Sequence, residues 1–279
     1  MKKRLLLMTA LLSTMTAWAT DYNVGTDADL RAAILNDGAN ITVTNDIELS
    51  NITLSIERTV TINLGGFTLD RGLKAREWNN GGQVITVRNG GTLILSNGTL
   101  KGGWGGNGGG LANEGGNVTL TNVNITGNTA DDRGGGISNR GTLVMTGGSV
   151  SNNLSKDSFD KPAGGGAVFN YEGATATLTV VSITGNTVNV TGGGGICNYG
   201  TMTLDGCTIT GNSCKMNGGG IWTAASATLN MKGVMTVTGN TANSVTNNLF
   251  MKTNAIINVT NALTGSNVGI IMEKPHIII

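Results

Sequence analysis

The chain has little proline, few aromatic residues and a single histidine. It contains 2 Pro and 1 His, and Trp, Tyr and Phe together make up 4% of its 279 residues. A collagen-like chain would need far more Pro and a strict three-residue period, and a disordered chain would lack regularly spaced Val, Ile and Leu. The only histidine is His276, close to the C-terminus, so a His-based mechanism in the body of the chain is excluded.

A strong charge of either sign is also missing. The net charge is +1, and without Lys2, Lys3 and Arg4 the 18 basic residues fall to 15 against 17 acidic ones, or −2. This balance gives no indication of a nucleic-acid partner or an anionic membrane surface. Beyond residue 19 no apolar run is long enough to span a bilayer, so we expect no transmembrane segment in the mature chain.

The first nineteen residues have the three parts of a secretory signal peptide. Lys2, Lys3 and Arg4 form a basic region, residues 5–12 an apolar core, and residues 17–19 an A-x-A cleavage site. We therefore predict that residues 1–19 are removed and that the mature chain is exported.

Cysteine is scarce and its count is odd. Cys207 falls at an inward register position and is predicted to be a small buried hydrophobe. Cys197 and Cys214 are expected at outward or loop positions, where they could pair or stay reduced. The spacings of ten and seven residues match no zinc pattern, so we expect no structural metal and no cofactor.

Glycine, in contrast, is abundant and periodic, with 45 residues. A glycine-hydrophobe-x-Asn signal recurs at residues 109–113, 135–139, 166–170 and 194–198, with a degenerate copy at 219–223. Each copy is followed by a Thr-rich run that ends at residues 125–128, 150–153, 183–186, 209–212 or 237–240. A fixed period of 25 to 31 residues is typical of a solenoid.

Within each repeat the apolar residues follow a register of two, three and two. One example is Val118, Leu120, Val123 and Ile125. Alternation within each part predicts short strands with one buried face, and the step of three is interpreted as a corner. We predict three parallel sheets in an all-β, right-handed parallel β-helix over residues 60–279, with about eight coils stacked at about 4.8 Å.

Residues 20–59 are predicted to form an N-terminal cap made of an amphipathic helix and the first strands. Thr26 is followed by Asp27 and Asp29, which is typical of a helix start, and Leu30, Ala33 and Ile34 form an apolar stripe that Gly38 ends. Such a helix would shield the exposed core of the first coil.

Asparagine recurs at two fixed positions of the repeat. The first series is Asn113, Asn139, Asn170 and Asn198, and the second is Asn128, Asn153, Asn186, Asn212 and Asn240. Ligands for a metal or a sugar are one interpretation. Because an Asn occurs in nearly every coil, we favour structural ladders of stacked amides at the corners.

These glycine-rich hydrophobe-x-Asn repeats resemble those of polymorphic outer-membrane proteins and related adhesin-like β-helix proteins, within the pectin-lyase-like superfamily. The resemblance covers about residues 111–248. It implies an exported, non-enzymatic passenger at the cell surface or outer membrane of a bacterium, or secreted from it, that binds glycan or protein partners. The usual passenger is far longer than this chain.

A polysaccharide lyase or glycoside hydrolase is the main alternative, because the same superfamily includes both. Glycosidases need two carboxylates about 5 to 9.5 Å apart, and calcium-assisted lyases need clustered carboxylates. Candidates lie in two loops at equivalent positions of the repeat, namely Asp131, Asp132 and Arg133, and Asp157, Asp160 and Lys161. Solvation of long loops accounts for the same charges, so no catalytic residue is assigned.

Ice binding is a minor alternative. Outward Thr residues form pairs such as Thr119 and Thr121, Thr177 and Thr179, and Thr201 and Thr203. Val144 and Asp205 interrupt the array, and Thr is a common strand residue in any case.

The candidate binding residues are aromatic. Phe169, Tyr171, Tyr199 and Trp222 flank the first Asn position in consecutive coils, where alternation directs side chains away from the core. We predict that they gather on one face as a contact patch for a sugar or a protein partner.

Overall fold

A computed structural model of the chain describes residues 20–50, 52–75, 82–156, 164–260 and 267–273. In these segments the strands form three sheets of 17, nine and seven strands. Neighbouring strands pair in parallel except where Thr241–Ala242 meets Val245–Thr246. The prediction of an all-β parallel β-helix with three sheets is thereby confirmed. The predicted signal peptide, residues 1–19, lies outside the described residues.

The 17-stranded sheet, called the wide sheet below, consists of two columns of strands. One column contains Asp21–Val24, Ala39–Val43, Thr59–Asn63, Thr92–Lys101, Asn117–Thr126, Thr142–Thr146, Thr175–Thr179, Thr201–Asp205, Thr228–Lys232 and Ile256–Val259. The other contains Ile47–Glu48, Thr68–Asp70, Ser149–Ser151, Ser182–Thr184, Thr208–Thr210, Thr236–Thr238 and Asn267–Val268. The strands Thr92–Lys101 and Asn117–Thr126 run through both columns.

The other two sheets complete each coil. The nine-stranded sheet holds Leu54–Ile56, Ile85–Val87, Leu111–Asn113, Ile137–Asn139, Val168–Asn170, Ile196–Asn198, Ile221–Thr223, Leu249–Met251 and Ile270–Met272. The seven-stranded sheet holds Trp104–Asn107, Thr129–Arg133, Leu154–Ser155, Thr187–Val188, Ser213–Cys214, Thr241–Ala242 and Val245–Thr246.

The step of three in the apolar register is a bend inside the wide sheet, so its interpretation as a corner between sheets is wrong. Val118, Leu120, Val123 and Ile125 are all buried within the single strand Asn117–Thr126. Asn122 lies between the two halves with a φ of 52°. This left-handed residue reverses the alternation without ending the strand. Each of the six coils between Thr92 and Met251 therefore contributes four strand segments to three sheets.

The helix α1, Asp27–Ala33, begins at Thr26, whose Oγ1 accepts a hydrogen bond from the Asp29 backbone N–H at 3.2 Å. Leu30 and Ala33 are buried in the same core as the strands. The strand before α1, Asp21–Val24, already pairs with Ala39–Val43, and that strand pairs with Thr59–Asn63. The strands of residues 20–59 therefore pair in parallel with the coils that follow them.

The repeated glycines form a backbone ladder that leads each coil into the nine-stranded sheet. Gly135 N–H donates to Gly165 O at 3.1 Å, and Gly194 N–H donates to Gly218 O at 3.1 Å. A Cβ on Gly135 would lie 2.5 Å from both Gly166 O and Leu154 C. Because the neighbouring coil is this close, a side chain at these positions has no room.

The three cysteines, all within the described residues, are buried and form no disulfide bond. Cys207 lies in the core as predicted, with its thiol 3.2 Å from Leu178 O. Cys214, expected at an outward or loop position, lies in the strand Ser213–Cys214 and is buried with Val188 and Ala242 in a small cluster separate from the main core. Cys197 does face outward, but that face of the nine-stranded sheet is covered.

Candidate functional site

Two columns of amides hold the corners of the coils. In the first series Asn139 Nδ2 donates to Asn170 Oδ1 at 2.8 Å, and Asn170 Nδ2 donates to Asn198 Oδ1 at 3.0 Å. In the second series Asn186 Nδ2 donates to Asn212 Oδ1, Val150 O and Thr184 O. All nine Asn side chains of the two series are buried. This geometry gives the amides structural partners along the axis of the stack.

The outer face of the nine-stranded sheet carries one residue per coil in register. The column runs through Ala112, Ser138, Phe169, Cys197, Trp222 and Phe250. The residue that follows the first Asn of each coil stands beside this column, and there the chain has Arg140, Tyr171 and Tyr199. The aromatic residues are thus placed on adjacent coils by the repeat itself.

The four predicted aromatic residues form a continuous row. The ring centroids of Tyr171 and Phe169 are 4.6 Å apart, those of Phe169 and Tyr199 5.4 Å, and those of Tyr199 and Trp222 5.2 Å. Their exposure differs from the expectation of four outward, exposed rings, because Phe169 is only 2% exposed. Tyr171, Tyr199 and Trp222 are half-buried, so Phe169 serves as the packed base of the row.

Two arginines flank the N-terminal end of the row. The Arg140 guanidinium carbon lies 3.6 Å from the Tyr171 ring centroid, and that of Arg133 lies 5.3 Å from the Phe169 centroid. Arg133 also donates to the Tyr171 hydroxyl at 3.5 Å, and that hydroxyl donates to Asn107 Oδ1 at 3.2 Å. The Tyr171 ring is therefore close to two guanidinium groups and is tethered by hydrogen bonds of its hydroxyl.

Arg133 keeps its charge in this half-buried setting. Burial opposes the charged form, but the hydrogen bond to the Tyr171 hydroxyl and the charge of Asp132 favour it more strongly, so the pKa of Arg133 is raised above its ordinary value. Asp132 Oδ2 lies 3.7 Å from the guanidinium. Charged Arg133 can therefore polarise the face of the aromatic row on which it lies.

An open groove of about 290 Å³ lies beside Tyr199. Its walls include Glu172, Thr201 and Ser226, together with Gly173, Gly200 and Ala225. Glu172 and Ser226 are exposed. The groove thus combines a flat ring with a carboxylate and two hydroxyls, which are the groups that orient a sugar ring.

Of the acidic residues considered as catalytic candidates, Asp131 and Asp132 are described by the structure, and both make other contacts. Asp131 Oδ1 accepts the Trp104 indole N–H at 2.8 Å, and Lys156 Nζ lies 3.8 Å from the Trp104 ring centroid. Asp157, Asp160 and Lys161 lie outside the described residues. Within the described part of the chain, no three Asp, Glu, His or Cys side chains are grouped as a metal site would require.

The outward Thr residues form columns on the wide sheet. One column contains Thr119, Val144, Thr177 and Thr203, and its neighbour contains Thr121, Thr146, Thr179 and Asp205. Thr201 belongs to a third column with Thr142 and Thr175. Asp205 forms an ion pair with Lys232 at 3.0 Å, so the array is interrupted at the two positions that the sequence indicated.

Sequence reasoning missed three contributors to this region. It placed Arg133 in a loop of candidate catalytic residues and gave no role to Arg140 or Asn107. Arg140 and Tyr171 occupy the same repeat position one coil apart, so alignment of the repeats carried the signal for that pair. Asn107 had no such signal, because Tyr171 reaches it across two coils. The second Asn series also extends one step further than predicted, from Asn240 to Asn248 at 3.1 Å.

Compared with known proteins, the chain matches no family model, no curated protein and no solved structure. The likeness to adhesin-like repeat proteins therefore remains a resemblance in the repeat motif. Among the described residues, no helix is long and apolar enough to cross a bilayer.

Proposed function

We propose that this chain is an exported, non-enzymatic, adhesin-like β-helix protein that binds glycans through the aromatic row. The observation that carries the proposal is the contact of Tyr171, Phe169, Tyr199 and Trp222 across three successive coils of a rigid stack. Aromatic residues are otherwise rare in this chain, at 4%. The export part of the proposal rests on the signal-like residues 1–19.

The row is suited to binding because its rings are preorganised. Phe169 is buried and fixes its neighbours, whereas Tyr199 and Trp222 keep part of their surface in solvent. A sugar ring that stacks on such a surface loses little side-chain entropy, because the aromatic rings are already ordered. Beside Tyr199, the groove hydroxyls and Glu172 supply hydrogen bonds to sugar hydroxyls.

The test replaces the exposed rings and leaves the packed base in place. Tyr199→Ser and Trp222→Ser are expected to weaken glycan binding by about tenfold or more each, because half-buried aromatic anchors dominate such contacts. Binding is measured on an array of neutral and acidic oligosaccharides and then by calorimetry on the best ligand. Trp104→Ser is the matched control, since it removes a half-buried indole from the seven-stranded sheet and is expected to leave binding unchanged.

Circular dichroism must first show that each variant is folded. Equal glycan binding by the parent and both variants would remove the row as a site, and no glycan binding by the parent would overturn the proposed ligand class. The same preparations are incubated with uronate polymers, with and without calcium. Absorbance from unsaturated uronate that disappears in an Asp131→Ala, Asp132→Ala double variant would overturn the non-enzymatic assignment.

A further inference from the structure

We infer that the aromatic row selects acidic glycans, with the anionic group of one sugar bound at Arg140 and an adjoining neutral sugar stacked on Tyr199. This inference rests on the proposed function and adds the chemical class and the direction of the ligand. It is carried by an uncompensated cation at the N-terminal end of the row and by a carboxylate in the groove beside Tyr199.

The charges along the corner column leave Arg140 without a partner. The residue after the Asn position is Arg88, Glu114, Arg140, Tyr171 and Tyr199 in five successive coils. Arg88 and Glu114 form an ion pair with each other. In the part of the chain that the structure describes, the Arg140 guanidinium has the Tyr171 ring as its contact and no carboxylate. The positive charge at this end of the row is therefore available to a ligand.

The geometry of Arg140 suits a bidentate anion. Its guanidinium lies against the Tyr171 ring with a separation of 3.6 Å, and the side chain is exposed. A guanidinium that stacks through its face keeps its N–H edge free, and this edge matches a carboxylate or sulfate with two parallel hydrogen bonds. Stacking also holds the fork in one orientation, so less entropy is lost when the anion binds.

Arg133 has a different part in the same cluster. It donates to the Tyr171 hydroxyl and lies near Asp132, so its charge is partly compensated. Its contacts fix the ring on which Arg140 lies. Arg133 is thus a positioning residue for Tyr171, and Arg140 is the anion contact.

The groove beside Tyr199 has the reverse preference. Glu172 lines the groove beside Tyr199, together with Thr201 and Ser226. A second anionic group here would be repelled by the Glu172 carboxylate, whereas the hydroxyls of a neutral sugar can donate hydrogen bonds to it. The anionic group is therefore expected at Arg140, and the neutral sugar over Tyr199 and the groove.

The experiment uses an array of matched pairs, in which each neutral oligosaccharide is printed beside its sialylated, uronic-acid and sulfated counterparts. The full exported chain is expected to bind acidic members in preference to their neutral partners, and the three acidic arms distinguish carboxylate from sulfate recognition. Raising NaCl from about 50 mM to about 200 mM should weaken binding, since the screening length for exposed charges falls from about 14 Å to about 7 Å over this range.

Arg140→Gln is expected to lower affinity for the acidic members by about tenfold or more, because a charge-assisted hydrogen-bonded pair is lost. Arg140→Lys should restore only part of it, since an ammonium cannot form the stacked fork. Arg58→Gln is the matched control, because it removes the same charge from an exposed side chain three coils toward the N-terminus.

The outcomes separate this inference from the proposed function. Equal binding of neutral and acidic members, or unchanged affinity in Arg140→Gln, would overturn the preference for acidic glycans while the row remains a glycan site. A parent protein that binds no glycan on the array would overturn both. Loss of binding in Arg58→Gln as well as Arg140→Gln would show that net charge, and not Arg140, determines affinity, and would also overturn the assignment.

Discussion

Val180 has a left-handed backbone conformation, and the residues at the same position in neighbouring coils are Asn or Gly. Its φ is 53°, and in register with it lie Asn122 at 52°, Gly147 at 65° and Gly206 at 61°. A β-branched residue is strained in the left-handed region, and Val180 is 65% exposed, so packing does not compensate. We expect Val180→Asn to raise the free energy of unfolding by about 1 kcal/mol, measured by urea denaturation.

The control for this change is Val234→Asn. Val234 is 62% exposed near the same bend two coils on, but its φ is not positive, so no strain is available to relieve. Its substitution should change stability by less than about 0.5 kcal/mol. A gain of equal size in both variants would show that exposed apolar surface, and not backbone strain, is what the Asn removes.

Individual side chains also mark the limit of what the sequence predicts. The alternation correctly directed Phe169 and Cys197 away from the core, but both are buried. Their burial depends on what covers the outer face of the nine-stranded sheet, including Arg133 over Phe169. Contacts of this kind join residues that are distant in sequence. The alternation of apolar and polar residues within one strand contains no information about them.

The buried amides are the feature of each coil that is most sensitive to substitution. Asn186 Nδ2 donates three hydrogen bonds, and its Oδ1 accepts two from Asn153. Asn186→Leu leaves carbonyls of two coils without donors, so we expect a loss of about 1 to 3 kcal/mol of stability by urea denaturation. Asn189→Leu in the same coil is the control, because Asn189 is exposed and should tolerate the change. Equal losses would exclude the amide ladder as the cause.

At the level of elements, the sequence predicted most of the fold. The two-three-two register identified the buried residues, and the helix start at Thr26 was read correctly from its neighbours. It misjudged the bend at Asn122, because a left-handed residue within a strand and a true corner shift the alternation in the same way.

The whole molecule behaves as a one-dimensional array, and this explains how a site arises on it. Because each coil repeats one backbone path, a substitution at a fixed register position places its side chain directly beside the same position of the next coil. Tyr171 and Tyr199 needed no dedicated scaffold to come together. The sequence could therefore predict that the aromatic residues gather, whereas the capture of Tyr171 by Arg133 and Asn107 depends on side-chain reach and was not predictable.

The same array architecture predicts how the molecule fails. Gly135 lies near the middle of the stack, and a Cβ there would lie within 2.6 Å of backbone atoms of Gly166 and Leu154 in the following coil. Gly135→Val should therefore separate the coils before it from those after it, because each coil contacts only its neighbours. We expect a lower urea midpoint and also a lower m-value, since the two parts then unfold separately and each exposes less surface.

Gly127→Asn is the control, because Gly127 has a φ of 64° and open space around it, and Asn tolerates that conformation. A lower midpoint with an unchanged m-value in Gly135→Val would mean that the damage stays local and that the stack still unfolds as one cooperative unit.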